Sequence, residues 1–303
     1  MKIALIGCGY LGKIHAKCIK EVKELELTGV FDISQEAADE AAKLFATVPY
    51  TNLQDLVNHC DVVDIVSATV THFEVAKIAI ASGKHCFIEK PITATTEEAE
   101  QLIALAKKHN VVIQVGHVER YNSAFAAALP HITQPFFFEA HRLCQFNLRG
   151  TDVSVVHDLM IHDIDLVLSI IKSKVIDIQA TGHKYITEYL DMANVRLLFD
   201  NGSVASLNAS RVAQHAIRKM HIFQPENNIT VNFQEKKVEI IEFKNNTLIF
   251  NEIPIIEHNA IAEELSDFVQ TILLHKTPKV TMMDGLNALR IADKVVQKIL
   301  FKI

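Results

Sequence analysis

Residues 1–12 read MKIALIGCGYLG. A short apolar run, KIALI, is followed by glycines at 7, 9 and 12. A secretory leader would carry an uninterrupted apolar core of roughly 7–15 residues, and here the glycines break the run where such a core should continue. The stretch therefore reads as a strand feeding a tight turn. GCGYLG (7–12) matches G-x-G-x-x-G, a helix-period segment follows at 11–23, and the next apolar run ends on Asp32, twenty residues after Gly12. Each part has a physical job. Gly7 permits the turn, Gly9 lets backbone approach a pyrophosphate, and Gly12 lets the helix pack close to the sheet. The helix start then offers N–H groups and the positive end of its dipole to phosphates, through Tyr10, Leu11 and Gly12. Asp32 would accept hydrogen bonds from ribose hydroxyls and repel a 2′-phosphate. No arginine stands at 33–36 to reverse that preference, so the expected cofactor is NAD rather than NADP.

Outward from this loop the pattern repeats. Strand-length apolar runs lie at 2–7, 27–32, 62–68, 85–90 and 111–116, separated by helix-period segments at about 11–23, 34–46, 71–82 and 95–109. The runs are continuously apolar rather than alternating, as expected of parallel strands covered on both faces. Ser34 and Thr95 stand where helix caps are needed, with acids in the following turn. Beyond residue 117 the character changes. A short helical piece (122–129), Pro130 and Pro135 lead to FFFEAHRL (136–143), a helix at about 154–171, and a β-rich region from 175 to 250. Runs there such as SVASLNASRV alternate, which predicts an antiparallel sheet with one exposed face. Two helical segments, about 258–275 and 284–302, close the chain. The expected class is α/β: a nucleotide-binding domain with a parallel sheet over residues 1–119, and an α+β domain with a large, mostly antiparallel open-faced sheet over 120–303.

Composition sets bounds on function. The chain has 303 residues, 49% hydrophobic and 22% charged, with a formal net charge of −6. That balance argues against a general nucleic-acid binder, which carries a basic excess. No apolar run approaches the roughly 20 residues of a membrane span. The five cysteines are scattered with no C-x-x-C pair, which predicts free thiols and a cytoplasmic protein.

Two further motifs carry chemistry. Glu89-Lys90-Pro91 ends the fourth strand, and ligands of open α/β sheets sit beyond the carboxyl ends of strands. HDLMIHDID (157–165) packs two histidines and three aspartates among apolar residues. At about 100° per residue, Asp158, His162 and Asp165 share one stripe, with Ile161, Ile164 and Leu168 beside it, while His157 and Asp163 fall off it. The segment thus reads as a mostly buried helix with one narrow polar edge, on which Asp165 anchors its neighbours. His157 and His162 are five apart and diverge on a regular helix, unlike the i,i+4 pairs of zinc sites, so no metal is expected.

With GCGYLG at the start, EKP after a later strand and D-x-x-x-H in a helix of a second, sheet-rich domain, the chain resembles the Gfo/Idh/MocA oxidoreductases. ATVTHFEVAKIAIASGKHCFIEKP (68–91) and VGHVERYN (115–122) extend the resemblance to nearly the whole chain. It implies a Rossmann domain, an open-faced α/β domain, and hydride transfer between a nicotinamide and a sugar, cyclitol or related polyol. It implies Lys90, Asp158 and His162 as the catalytic residues, facing one another across the domain junction. It places Glu89 and Lys90 at the cofactor, with Thr69 and His72 on a loop bordering the dinucleotide. Family members commonly form dimers or tetramers through the sheet of the second domain. A large one-sided apolar sheet would favour that association.

The chemistry suits these groups. A neutral histidine can take a hydroxyl proton at neutral pH, a lysine can hold the oxygen as alkoxide charge develops, and an aspartate can orient the histidine. The roles of Lys90 and His162 could be exchanged on sequence alone. The second half, NASRVAQHAIRKMHIF (208–223) with VERYN and HDLMIHDID, is similar to the UDP-N-acetylglucosamine 3-dehydrogenases of lipid A synthesis. Arg120, Arg142, Arg149, Arg211, Arg218 and Lys219 gather in or beside the second domain of an acidic protein, and arginine suits bidentate phosphate contacts. Arg120, Arg149, His162, Arg211 and Arg218 are the expected substrate contacts. Two other readings compete: an inositol or free-sugar dehydrogenase of the same family, which needs no arginine cluster, and a non-catalytic NAD-binding sensor, which would have lost Lys90, Asp158 and His162.

Overall fold

The structure is a computed structural model that describes residues 1–147 and 150–301. The chain divides into two compact units: Met1–Val118 with Asn259–Leu286, and Glu119–His258 with Asn287–Ile303. The stretch 259–286, expected in the second domain, therefore packs with the first. The reason is an apolar face: Leu265, Phe268 and Ile272 lie against Ile3, Ile19, Val62 and Phe87.

In the first unit, strands β1 (Lys2–Ile6), β2 (Glu26–Phe31), β3 (Val62–Ile65), β4 (His85–Glu89) and β5 (Ile113–Gly116) form an all-parallel sheet in the order β2-β1-β3-β4-β5. β3 is buried at every position, as a strand covered on both faces must be. The helices are α1 (Tyr10–Glu21), α2 (Gln35–Phe45), α3 (Leu53–Asn58), α4 (Thr69–Ala81) and α5 (Thr96–His109). Ser34 caps α2, and Thr95 with Glu98 forms a capping box on α5, in line with the expected starts. The two-turn α3 has no counterpart in the periodicity, because six residues are too few to establish a 3.6-residue repeat.

The second unit opens with a 3₁₀ turn (Val118–Tyr121) and α6 (Ser123–Ala128). Its sheet comprises β6 (Phe137–Leu143), β7 (Val175–His183), β8 (Met192–Phe199), β9 (Val204–Ser210), β10 (Ile217–Phe223), β11 (Asn227–Asn232), β12 (Lys237–Lys244) and β13 (Thr247–Glu252). The order is β13-β12-β11-β10-β6-β9-β8-β7, antiparallel throughout except that β6 runs parallel to β9. The helix expected at 154–171 is a π turn (Val156–Met160) running into α7 (Ile161–Ile170). The last two helices are α8 (Ala260–Leu273), which belongs to the first unit, and α9 (Met282–Leu300). One face of the sheet carries Phe138, Ala140, Val195, Leu197, Ala205, Leu207, Met220 and Ile222. These pack against Met160, Ile161, Ile164 and Val167 around α7 and against Ala288, Ile291, Ala292 and Val295 of α9.

The other face corrects the expectation of a one-sided apolar surface. Alternation places polar residues there. His141 meets Glu139 at 3.1 Å, His221 meets Thr230 at 3.0 Å, and Asn194 donates to Asn208 across β8 and β9. Phe137 and Phe223, 5.4 Å apart between ring centroids, add an aromatic pair. No helix of the described residues is long and apolar enough to cross a membrane.

Candidate active site

The turn between β1 and α1 has the shape its glycines predict. Gly7 sits at φ +98, where a Cβ would come 2.7 Å from the Ser67 backbone nitrogen. At Gly12 a Cβ would lie 1.9 Å from the Gly7 carbonyl oxygen, so only glycine allows this approach of helix to loop. Gly9 is the N-cap of α1 and supplies no capping side chain, while the space beside its α-carbon is open to 4 Å. Tyr10, the first residue of α1, is 67% exposed. Asp32, just past β2, accepts the Cys8 N–H at 2.7 Å on one oxygen and the Ser34 N–H at 2.9 Å on the other. These two bonds fix the carboxylate beside the loop. Burial pushes the Cys8 thiol up to about 12, and the Asp32 charge adds to that.

Lys90 stands at the carboxyl end of β4 and is half-buried. Its neighbour Glu89 turns inward, contrary to a role at the cofactor surface. One Glu89 oxygen accepts the Lys90 backbone N–H at 3.0 Å; the other lies 3.4 Å from His15 Nε2. Thr69 and His72 are likewise not on a loop, because α4 begins at Thr69. His72 is buried, its ring nitrogens 3.0 Å from the Pro91 and Ser67 carbonyls, and burial holds its pKa below the usual histidine value. His72 thus braces the turn after Lys90 rather than facing a ligand.

In the second unit, the narrow polar edge expected of HDLMIHDID is replaced by a division of labour. His157 Nε2 is 2.8 Å from Asp293 of α9. Asp163 is buried and grips Arg142 with both oxygens, at 3.0 and 2.8 Å, while Arg142 also donates to Glu119 at 2.6 Å. Asp165 is buried and accepts from Arg120 Nε at 2.7 Å. Asp158 and His162 are the half-buried polar pair. Asp165 leaves the expected edge because Arg120 draws it into a buried ion pair, while Asp158 lies in the π turn ahead of α7. The same turn weakens the spacing argument against a metal. Still, no group of three or more His, Cys, Asp or Glu positioned for a metal is found among the described residues.

The arginines divide too. Arg120 and Arg142 serve buried ion pairs, where each carboxylate offsets the desolvation of the guanidinium. Arg211 is buried as well, and donates to the Gly150 and Val153 carbonyls, both at 2.8 Å. It holds the loop at 150–153, which packs on Asp158: a Cβ at Gly150 would lie 2.7 Å from an Asp158 oxygen. Among the described arginines of this set, Arg218 is exposed. Burial raises the Cys144 thiol, Asp158 adds to that, and Arg218 and Arg211 oppose it, so these charges gather around the end of β6. Arg149 lies outside the described residues.

Comparison with known proteins agrees with this geometry. The profile described as "Oxidoreductase family, NAD-binding Rossmann fold" matches residues 1–117, and the "GFO/IDH/MocA C-terminal domain" profile matches 131–235. UDP-N-acetylglucosamine 3-dehydrogenase of Acidithiobacillus ferrooxidans is 34% identical, covering 98% of this chain and 96% of that protein. The chain belongs to the Gfo/Idh/MocA family.

A crystal structure of that Acidithiobacillus ferrooxidans enzyme superposes with a TM-score of 0.95, at 33% identity over 99% of this chain and 97% of that one. The scyllo-inositol 2-dehydrogenase (NAD(+)) of Bacillus subtilis is 27% identical over 94% of this chain and 90% of its own. As a Gfo/Idh/MocA protein the chain is an NAD-dependent oxidoreductase. The open space at Gly9, the uncapped start of α1 and the fixed Asp32 carboxylate fit a dinucleotide with its pyrophosphate over Gly7–Gly12 and its ribose at Asp32. Sequence reasoning missed His15, Asp64 and Glu119, each buried against a titratable partner: His15 with Asp64, and Glu119 with Arg142. A buried histidine in an amphipathic helix carries no periodic signal that separates it from a surface one.

Proposed function

We propose that this enzyme transfers a hydride between C3 of UDP-N-acetylglucosamine and NAD. The observation that carries this is likeness over 98% of the chain to an enzyme of that activity, in a protein that keeps Lys90, Asp158 and His162. NAD, when bound, supplies the hydride chemistry. The chain's own residues handle the proton and the charge. His162 takes the hydroxyl proton, Lys90 holds the reacting oxygen and offsets the alkoxide charge, and Asp158 orients the histidine. Arg218 meets the diphosphate of the substrate, while Arg211 shapes the loop over Asp158 and Arg120 keeps α7 in place. Residues 1–119 bind the cofactor and 120–303 bind the sugar nucleotide and associate, with 259–286 bracing the first part. The chain works in the cytoplasm as a homodimer or homotetramer joined through the Phe137–Phe223 face, in the route to the 3-amino sugar of lipid A.

The test is NADH formation with UDP-N-acetylglucosamine, UDP-glucose, N-acetylglucosamine, myo-inositol and scyllo-inositol. The expected result is a kcat/KM for UDP-N-acetylglucosamine at least about 10²-fold above any unphosphorylated sugar, the scale of a lost charge-assisted pair. Faster turnover of an inositol would overturn the substrate and favour the cyclitol reading.

A further inference from the structure

His15 is a fully buried ionisable group that the reaction leaves unused. It lies on α1, one turn beyond the phosphate loop, with 0% exposure. Its Nδ1 is 3.0 Å from Asp64 Oδ2 on β3, and its Nε2 is 3.4 Å from Glu89 Oε1 at the end of β4. Asp64 is 0% exposed and Glu89 7%. Burial opposes charge on His15, but the two carboxylates outweigh it and hold the pKa well above the usual histidine value; burial likewise opposes charge on Glu89, which His15 and Lys90 nonetheless hold low, while burial keeps Asp64 above the usual carboxylate range. Phe87, its ring centroid 5.8 Å away, completes the wall.

Such a cluster is a poor way to gain stability. Replacing buried ions by packed apolar side chains is often neutral or stabilising. Its geometry indicates another use. The second Glu89 oxygen accepts the Lys90 N–H, and His72 holds the Pro91 carbonyl on the far side of the same turn. Gly116 on β5 leaves room for the carboxylate, since a Cβ there would come 2.6 Å from Glu89 Oε1. Asp64, His15, Glu89 and the Lys90 peptide thus form one line of contacts, hydrogen-bonded at its two ends and joined at His15 Nε2 by an ion-pair contact of 3.4 Å rather than a hydrogen bond, from α1 to the residue proposed to meet the reacting oxygen.

We propose that His15 is a positioning residue for Lys90: bridging Asp64 and Glu89, it locks the carboxylate that fixes the Lys90 backbone, so that the cofactor helix and the active-site lysine are held as one rigid piece. This rests on Lys90 touching the reacting oxygen. The test uses His15→Leu, His15→Gln and Gly116→Ala in the full-length enzyme, with Lys90→Ala as reference and the best substrate of the panel above. Each variant is measured for kcat, for KM and for NADH affinity by nicotinamide fluorescence. For His15→Leu the expected kcat loss is about 30- to 100-fold with NADH affinity within about threefold, because only transition-state contacts are perturbed. His15→Gln, which keeps a donor, recovers about tenfold. Gly116→Ala reproduces the selective loss by displacing Glu89 without changing any charge, and it decides the matter if His15→Leu does not fold. Adding His15→Leu to Lys90→Ala costs little more, as expected of coupled groups. A kcat within threefold of wild type in Gly116→Ala, or losses in NADH affinity as large as those in kcat, would overturn the proposal. Full activity of Lys90→Ala would instead overturn the role of Lys90 itself.

Discussion

Among single residues, Lys90 and Arg218 carry the sharpest expectations. Lys90→Met removes the ammonium but keeps the apolar stem, so turnover should fall by about 10²–10⁴-fold, the usual worth of such a group, with NADH binding little changed. Stopped-flow turnover beside fluorescence titration checks both halves. Arg218→Ala should raise KM for the nucleotide sugar by about tenfold or more while leaving kcat nearly unchanged, because a diphosphate contact is made equally in ground and transition states. A fall in kcat with unchanged KM would move Arg218 into the chemistry. The glycine turn, and the placing of Asp32 and Lys90 at the ends of strands, were legible because a tight strand-to-helix turn needs glycine and the apolar runs end at those residues. Which arginines are buried was not. Arg120, Arg142 and Arg211 find buried acids and carbonyls that only the folded chain brings near: Asp165, Asp163 with Glu119, and the 150–153 loop.

The element that concentrates the enzyme's polar interior is the π turn with α7. Both Asp163 and Asp165 anchor arginines from other segments, so Asp158 and His162 are presented on a helix fixed at two points. Breaking the Asp163 anchor leaves Arg142 with Glu119 as its remaining carboxylate. Asp163→Ala should therefore cost about 2–3 kcal/mol, the scale of lost hydrogen bonds to a charged group, measured by urea unfolding. A loss under about 1 kcal/mol would mean that Arg142 finds water instead. The periodicity of 157–168 announced a buried helix but hid the π turn. One extra residue in a turn changes the angle of every later side chain without changing the apolar pattern much. The eight-stranded sheet and the polar positions of its outer face were both readable as alternation. Alternation reports that a face is exposed, not what covers it.

At the scale of the whole molecule, buried carboxylates tie stability to pH. Burial alone would raise Asp191, but hydrogen bonds from the Ile186, Thr187 and Tyr185 N–H groups and the Thr187 hydroxyl hold it down at about 2. An unfolded aspartate titrates near about 3.9. The folded value is the lower one, so this contribution is fully present above about pH 4 and is lost as pH falls toward 2. The urea midpoint of wild type should exceed that of Asp191→Asn at pH 6, with the gap narrowing between pH 4 and 2. A gap independent of pH would contradict it. The sign reverses for His15, whose folded pKa is raised: its contribution is complete below about pH 6.5 and declines as pH climbs through the folded value. The proposed hydride transfer from C3 of the nucleotide sugar can be followed with UDP-N-acetylglucosamine carrying deuterium at that carbon. The deuterium should appear in NADH, at one deuterium per turnover by mass spectrometry; turnover that yields unlabelled NADH would rule out transfer from C3.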